Sequence, residues 1–375
     1  MTDFDSLLPL WSKNQSNTLL LADLLSCSLR EGKPEQANAL IDQLGNPASI
    51  EAKFAVVVVE YLLNSGQFQA VTSYLPVLEH SVEHRSAFVY YSLVQLFLLN
   101  KLDDISDFHS TYQSEIQSSP SSKLLVARAL YMQLKVEQAL SLLQDDMEHP
   151  EINELKSLLY FEVGQFDQVR VCAEAALREL PDSYLARIAL ASLFIEQRHY
   201  RQAGELVDYC IHRFPNQGRA WALKGQLAFE KLDFVSSRDA LRIATSLMPT
   251  HLGSWHMLAW TEYLQGDKQA AFAAFRAAFA TDPTFADSQA GMAIVALDNN
   301  DIDSAEVFVD KAIRLDKRGF TGRYAHALLL NAKGETAQAE QLIQLMLKAS
   351  AADGVSFQRL ILEKLEKLQD SKTHG

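Results

Sequence analysis

The sequence predicts an all-α protein, an α-α superhelix: a solenoid of about ten helical hairpins. Three observations lead there. Pro181, Pro215, Pro249 and Pro283 stand 34 residues apart, and Trp221 and Trp255 repeat that interval. Gly32 and Gly66 show it near the amino terminus, where Asn100 and Leu134 continue the series. Inside each interval the apolar residues follow two helical stripes of about a dozen residues each.

The elements follow in order. Residues 1–17 form an amino-terminal cap segment, expected with its helical part over 4–17. Units starting at 18, 52, 86 and 120 cover 18–149 as four degenerate repeats. Their eighth position is bulky in Leu25, Val59 and Leu93 and small only in Ala127, so helix spacing or angle should change there. From 120 to the next unit is 30 residues, a deletion of four at QDDMEHPE (144–151), which reads as a break between two sub-arrays.

Six regular repeats cover 150–353, starting at 150, 184, 218, 252, 286 and 320. Position 8 is Ser157, Ala191, Gly225, Ala259, Ala293 and Ala327, and position 20 is Val169, Ala203, Ser237, Ala271, Ala305 and Ala339. Small columns of this kind let antiparallel helices approach closely. Position 24 is mostly larger, running Ala173, Val207, Leu241, Phe275, Val309 and Ile343. Gly266-Asp267 is the expected turn between two helices, and Asp282-Pro283 the expected boundary to the next unit. Residues 354–375 should supply an amphipathic capping helix, GVSFQRLILEKLEKLQ, and a tail.

The unit at 252–285 reads Trp255-x-x-Leu258-Ala259, then Ala271, Phe275, Ala278 and Pro283. Here the chain resembles the tetratricopeptide repeat family, with Glu262 where that family's Tyr would fall and Tyr263 beside it. The unit at 218 keeps Trp221, Gly225, Ala244 and Pro249 but has Lys224 in place of the usual Leu.

The resemblance implies a non-enzymatic scaffold or adaptor that binds a protein or peptide along the concave wall of first helices. It also implies a bacterial setting in assembly, secretion or envelope machinery. Carried over to first-helix positions near 2, 5, 9, 12 and 13, the wall comprises Tyr90, Phe97, Arg128, Tyr131, Phe161, Arg219, Gln226, Phe229, His256, Trp260, Tyr263, Tyr324 and Asn331. Glu162, Glu196 and Glu230 line one edge. The Lys and Asn pairs with which part of the family clamps a terminal carboxylate are missing. Some of the aromatics could instead fill gaps between adjacent first helices. The alternatives are a chaperone shielding a secreted or assembly-prone subunit and a peptide-sensing regulator.

Composition narrows the classes. With 34 Lys and Arg against 47 Asp and Glu, the formal charge is −13, which disfavours a nucleic-acid backbone as partner. Cys27, Cys172 and Cys210 form no CxxC pair, and the first residues lack a signal-peptide pattern, so a cytoplasmic protein is expected. The apolar runs at 88–99 and 270–280 are too short to cross a bilayer, so no membrane insertion is expected. Phosphate-loop, dinucleotide and nucleophile-elbow motifs are absent, and no cofactor, metal or catalytic site is expected. His80-Ser81-Val82-Glu83-His84 matches a zinc-protease pattern but falls at an inter-unit turn. Asp298, Asp301 and Asp303 lack the glycine and distal glutamate of a calcium loop.

Overall fold

The structure, a computed structural model, describes residues 3–144 and 149–349, of which 347–349 are described as backbone only. The capping helix expected over 354–369 lies outside them, as does the middle of the irregular stretch. The described residues contain 22 α-helices, two short 3-10 turns and no strand.

Helix α1 (Phe4–Lys13) precedes ten helical hairpins. The first four are α2 (Thr18–Glu31) with α3 (Pro34–Gln43), α4 (Ala52–Asn64) with α5 (Leu75–Glu79), α6 (Arg85–Leu98) with α7 (Leu102–Thr111) and α8 (Gln113–Gln117), and α9 (Pro120–Met132) with α10 (Val136–Leu142). Then come α11 (Pro150–Glu162) with α12 (Phe166–Glu179), α13 (Tyr184–Glu196) with α14 (Tyr200–Arg213), and α15 (Gly218–Glu230) with α16 (Phe234–Leu247). The last three pairs are α17 (Leu252–Leu264) with α18 (Lys268–Thr281), α19 (Ala286–Asp298) with α20 (Ile302–Leu315), and α21 (Phe320–Ala332) with α22 (Thr336–Ala349). The contacts group into two compact units, one ending in sequence at Ala189 and the other beginning at Leu190, both inside α13. The protein is therefore all-α, built as a solenoid of repeated hairpins.

One backbone feature recurs in every hairpin. The residue fifteenth from the unit start has positive φ in all ten: Gly32, Gly66, Asn100, Leu134, Gly164, Arg198, Leu232, Gly266, Asn300 and Gly334. Here the first helix ends in a Schellman motif. At Gly266, its own N–H donates to Tyr263 O at 3.0 Å and the Asp267 N–H to Glu262 O at 3.0 Å. The αL residue thus satisfies carbonyls that the helix end leaves open. At Leu134 and Leu232 the same bonds form, so the fold imposes the conformation even where the side chain opposes it.

The Trp–Pro spacing has a comparable origin. The indole N–H of Trp221 donates to Pro215 O, and that of Trp255 to Pro249 O, each at 2.8 Å. Each tryptophan ties its first helix to the turn that precedes it. Glu262 also has a role of its own: buried, it accepts from Arg242 Nε at 3.0 Å and Nη2 at 2.6 Å, pinning α17 to α16.

The regular hairpins close more tightly than the degenerate ones. Every second helix from α12 to α22 has 14 residues, and α12, α16, α18 and α20 pack extensively against their partners α11, α15, α17 and α19. In the first four hairpins the second helices shrink to 10 residues in α3 and α7, 7 in α10 and 5 in α5. Beyond α10, the fully buried Lys156 ammonium donates to Leu143 O and Gln144 O, both at 3.3 Å. A cation there satisfies carbonyls at the foreshortened helix end, where the helix dipole favours positive charge. At the amino terminus α1 buries Phe4, Leu7 and Trp11, with Trp11 meeting Phe54 edge-on at 6.3 Å.

Candidate functional site

The wall of first helices is built from residues at helical spacing. On α6, Tyr90, Val94 and Phe97-Leu98 share one face; on α9, Leu124, Arg128 and Tyr131-Met132 do. The thirteen expected wall residues divide by exposure. Tyr90 and Asn331 are exposed, whereas Phe97, Arg128, Tyr131, Phe161, Arg219, Gln226 and Tyr263 are half-buried. Phe229, Trp260 and Tyr324 are core residues at 5%, 2% and 6% exposure, so they have almost no surface to give a partner. Their rings fill the space between neighbouring helices: Trp260 meets Phe275 at 4.9 Å and Phe229 meets Phe234 at 5.5 Å.

His256 belongs with them. Its ring is enclosed edge-on by Trp260, Phe275 and Phe285 at 5.1–6.1 Å. The Trp260 indole N–H donates to His256 Nε2 at 3.0 Å, which places the imidazole proton on Nδ1, an atom that is buried without a partner. Burial pushes its pKa down to about 4, so the ring is neutral.

Two rungs join tyrosines at position 12 to acids at position 13 of the following unit. Tyr131 Oη donates to Glu162 at 3.1 Å, and Tyr263 Oη to Asp298 at 2.9 Å. Burial, then the Asp298 charge, raises the Tyr263 pKa well above its usual value. Burial also pushes Tyr324 up to about 12. These phenols are donors, not bases.

Open wall lies elsewhere. In α2, α4, α6 and α9 the wall positions expose Leu19 at 77%, Leu98 at 45% and Met132 at 53%, beside partly exposed Val56, Leu63, Val94 and Leu124. From α11 onward several corresponding positions close, with Leu158, Ile188, Ile195, Ala290 and Ile294 all at or below 5%, while Phe161, Gln226 and Tyr263 stay half-buried. Leu98 and Met132 did not stand out in the sequence. The available signal was the thirteenth position, apolar at Leu98 and Met132 but acidic in four of the six regular repeats, at Glu162, Glu196, Glu230 and Asp298, with Leu264 and Ala332 the exceptions.

The two metal-like motifs resolve into turns. His80 follows the end of α5 and His84 precedes α6, so no single helix carries both imidazoles. His80 Nδ1 lies 2.6 Å from Pro76 O, and His84 Nδ1 lies 3.0 Å from Ser81 Oγ. Asp301 caps α20, accepting from the Ser304 N–H at 3.1 Å; the Ser304 side chain and then that N–H hold its carboxyl below the usual range. Among the described residues no cluster of His, Cys, Asp and Glu could hold a metal, and no helix is long and apolar enough to cross a membrane.

Comparison with known proteins agrees with this architecture. Residues 160–227 match the family model described as a tetratricopeptide repeat. No curated protein matches the chain. Among solved structures, the Cut9–Hcn1 APC/C hetero-tetramer is similar over 96% of this chain and 92% of that one, at 11% identity and a TM-score of 0.51. PilF of Pseudomonas aeruginosa is similar over 58% of this chain and 96% of its own, at 15% identity and a TM-score of 0.48. YrrB, a TPR protein with an unusual peptide-binding site, covers 53% of this chain and 97% of its own, at 16% identity and a TM-score of 0.39. At these identities the likeness concerns the fold alone. Residues 160–227 thus match a tetratricopeptide repeat, and the 34-residue period and the ten hairpins with a common turn carry the same hairpin plan along the described residues.

Proposed function

We propose that the protein is a non-catalytic scaffold that holds a protein or peptide segment along its wall of first helices, chiefly over α2 to α9. One observation carries this reading: large apolar side chains at wall positions of α2, α6 and α9 reach solvent, while the large apolar residues Leu158, Ile188, Phe229 and Trp260 at wall positions farther along are packed. Exposed apolar surface in a contiguous strip is what a folded protein otherwise buries, and its usual use is recognition. The three cysteines are buried thiols that form no disulfide among the described residues, which fits work in the cytoplasm.

Site-specific photo-crosslinking in the native host tests the reading. A benzophenone residue at Tyr90, Phe97 or Leu124 should capture one common partner. At Asp107 or Ser141, exposed on second helices of the same hairpins, it should capture none of it. Equal capture from both sets would move recognition off the wall.

A further inference from the structure

The strip on α6 and α9 contains one feature that an apolar partner alone would leave unsatisfied. Arg128 is half-buried at the ninth position of α9, one turn from Leu124 on one side and Met132 on the other. Helix α6 packs beside α9 and presents Tyr90, Val94 and Leu98 at the same levels. No hydrogen bond, ion pair or ring contact engages the Arg128 guanidinium within the described residues. Two acids on α11, the neighbouring first helix, already have donors: Glu154 accepts from Ser183 Oγ at 2.7 Å and Glu162 from Tyr131 Oη at 3.1 Å. On α6 and α9, Leu98 is 45% exposed and Met132 53% exposed, with Leu134 at 84% just past the end of α9.

Covering this strip with an apolar segment would desolvate Arg128 and leave a charge without a partner, which is strongly unfavourable. Covering it with a segment that carries a carboxylate among its apolar side chains makes a charge-assisted pair instead. We infer that the α6–α9 strip binds an internal peptide segment in which an aspartate or glutamate side chain, flanked by large apolar residues, pairs with Arg128. The overall charge of −13 opposes an acidic partner at long range. That repulsion is screened beyond about 8 Å in physiological salt, whereas the Arg128 contact is local and partly desolvated. The inference rests on the wall reading above and adds the chemistry of the partner.

Peptide display tests it. Random 12-residue peptides, fused at both ends so that no free carboxy terminus is offered, are selected on the immobilised full chain. A parallel selection uses Arg128→Glu, and Leu98→Glu with Met132→Glu serves as the strip control; circular dichroism and thermal midpoints verify that all are folded. The expected wild-type pool carries Asp or Glu between Leu, Phe, Ile or Met. Its peptides should lose about tenfold or more in affinity on Arg128→Glu, and the variant's own pool should turn to Lys or Arg at that place. Peptides that fail on the Leu98→Glu, Met132→Glu control yet bind Arg128→Glu unchanged would overturn the carboxylate pairing and leave the wall reading intact. Peptides indifferent to both variants, or no enrichment at all, would overturn both.

Discussion

The first four hairpins and the last six use the same 34-residue plan to opposite ends. From α11 to α22 the eighth position is small and buried, the second helices are 14 residues long, and large wall residues such as Leu158, Ile188, Phe229 and Trp260 are packed. From α2 to α10 the interior is filled by Leu25, Val59 and Leu93, the second helices are short, and apolar wall residues stay in solvent. A repeat that closes well adds to stability through its neighbours. One that closes poorly keeps surface free for a partner. The blurred columns of the amino-terminal half are thus the more informative ones about function.

Trp260 and Tyr90 give the sharpest contrast, since both were expected to face a partner. Trp260→Ala should cost about 3–5 kcal/mol of stability, as for other buried large-to-small changes. Tyr90→Ala, at an exposed site, should stay within about 0.5 kcal/mol. Urea unfolding at pH 7 measures both, and equal losses would erase the distinction between packed and open wall. Partner capture should reverse the order, falling with Tyr90→Ala and not with variants of Trp260 that remain folded.

His256 extends the contrast to pH. Its pKa falls from 6.5 in the unfolded chain to about 4 in the fold, because burial disfavours the charged ring. A depressed histidine stabilises the fold fully above pH 6.5 and loses that contribution as pH drops toward 4. At 1.36 kcal/mol per unit, the loss totals roughly 3 kcal/mol. Unfolding free energies of wild type and His256→Phe should therefore converge, or cross, between pH 7 and pH 4.5. A constant difference across that range would mean that the ring is solvated.

The eighth position can be tested by exchange between the halves. A Cβ built at Gly225 would lie 2.5 Å from Leu241 Cγ, while Leu25, at the same position in the first hairpin, is accommodated. Gly225→Leu should destabilise by about 1–3 kcal/mol through overpacking. A thermal midpoint unchanged by that substitution would show that the regular hairpins are not closed by their small residues.

Much of this was legible before any coordinates. The Trp–Pro interval announces itself because each indole reaches a specific carbonyl, and the small columns announce close helix approach. Burial of the wall was not legible. Phe229 and Trp260 occupy positions whose exposure depends on how neighbouring first helices pack, and an amphipathic pattern reports one apolar face without saying what covers it. The strip at Leu98 and Met132 was hidden for the same reason: an apolar residue at a helix end reads as ordinary core.

The recurrent αL turn was legible only where glycine or asparagine marks it, and this leaves the smallest prediction. Leu134 and Leu232 hold φ of 62° and 60° at 84% and 53% exposure, so they bear the αL penalty while burying little. That penalty is about 1–2 kcal/mol for a residue with a Cβ. Glycine returns about 0.5–1 kcal/mol of it through greater freedom in the unfolded chain. Leu232→Gly should thus raise stability by about 0.5 kcal/mol and leave peptide binding untouched. Leu134→Gly should raise stability by a similar amount yet weaken binding to the α6–α9 strip, because the side chain it removes stands at the strip's edge. If both variants bind selected peptides as the wild type does, Leu134 is only a strained turn residue and the strip ends at Met132.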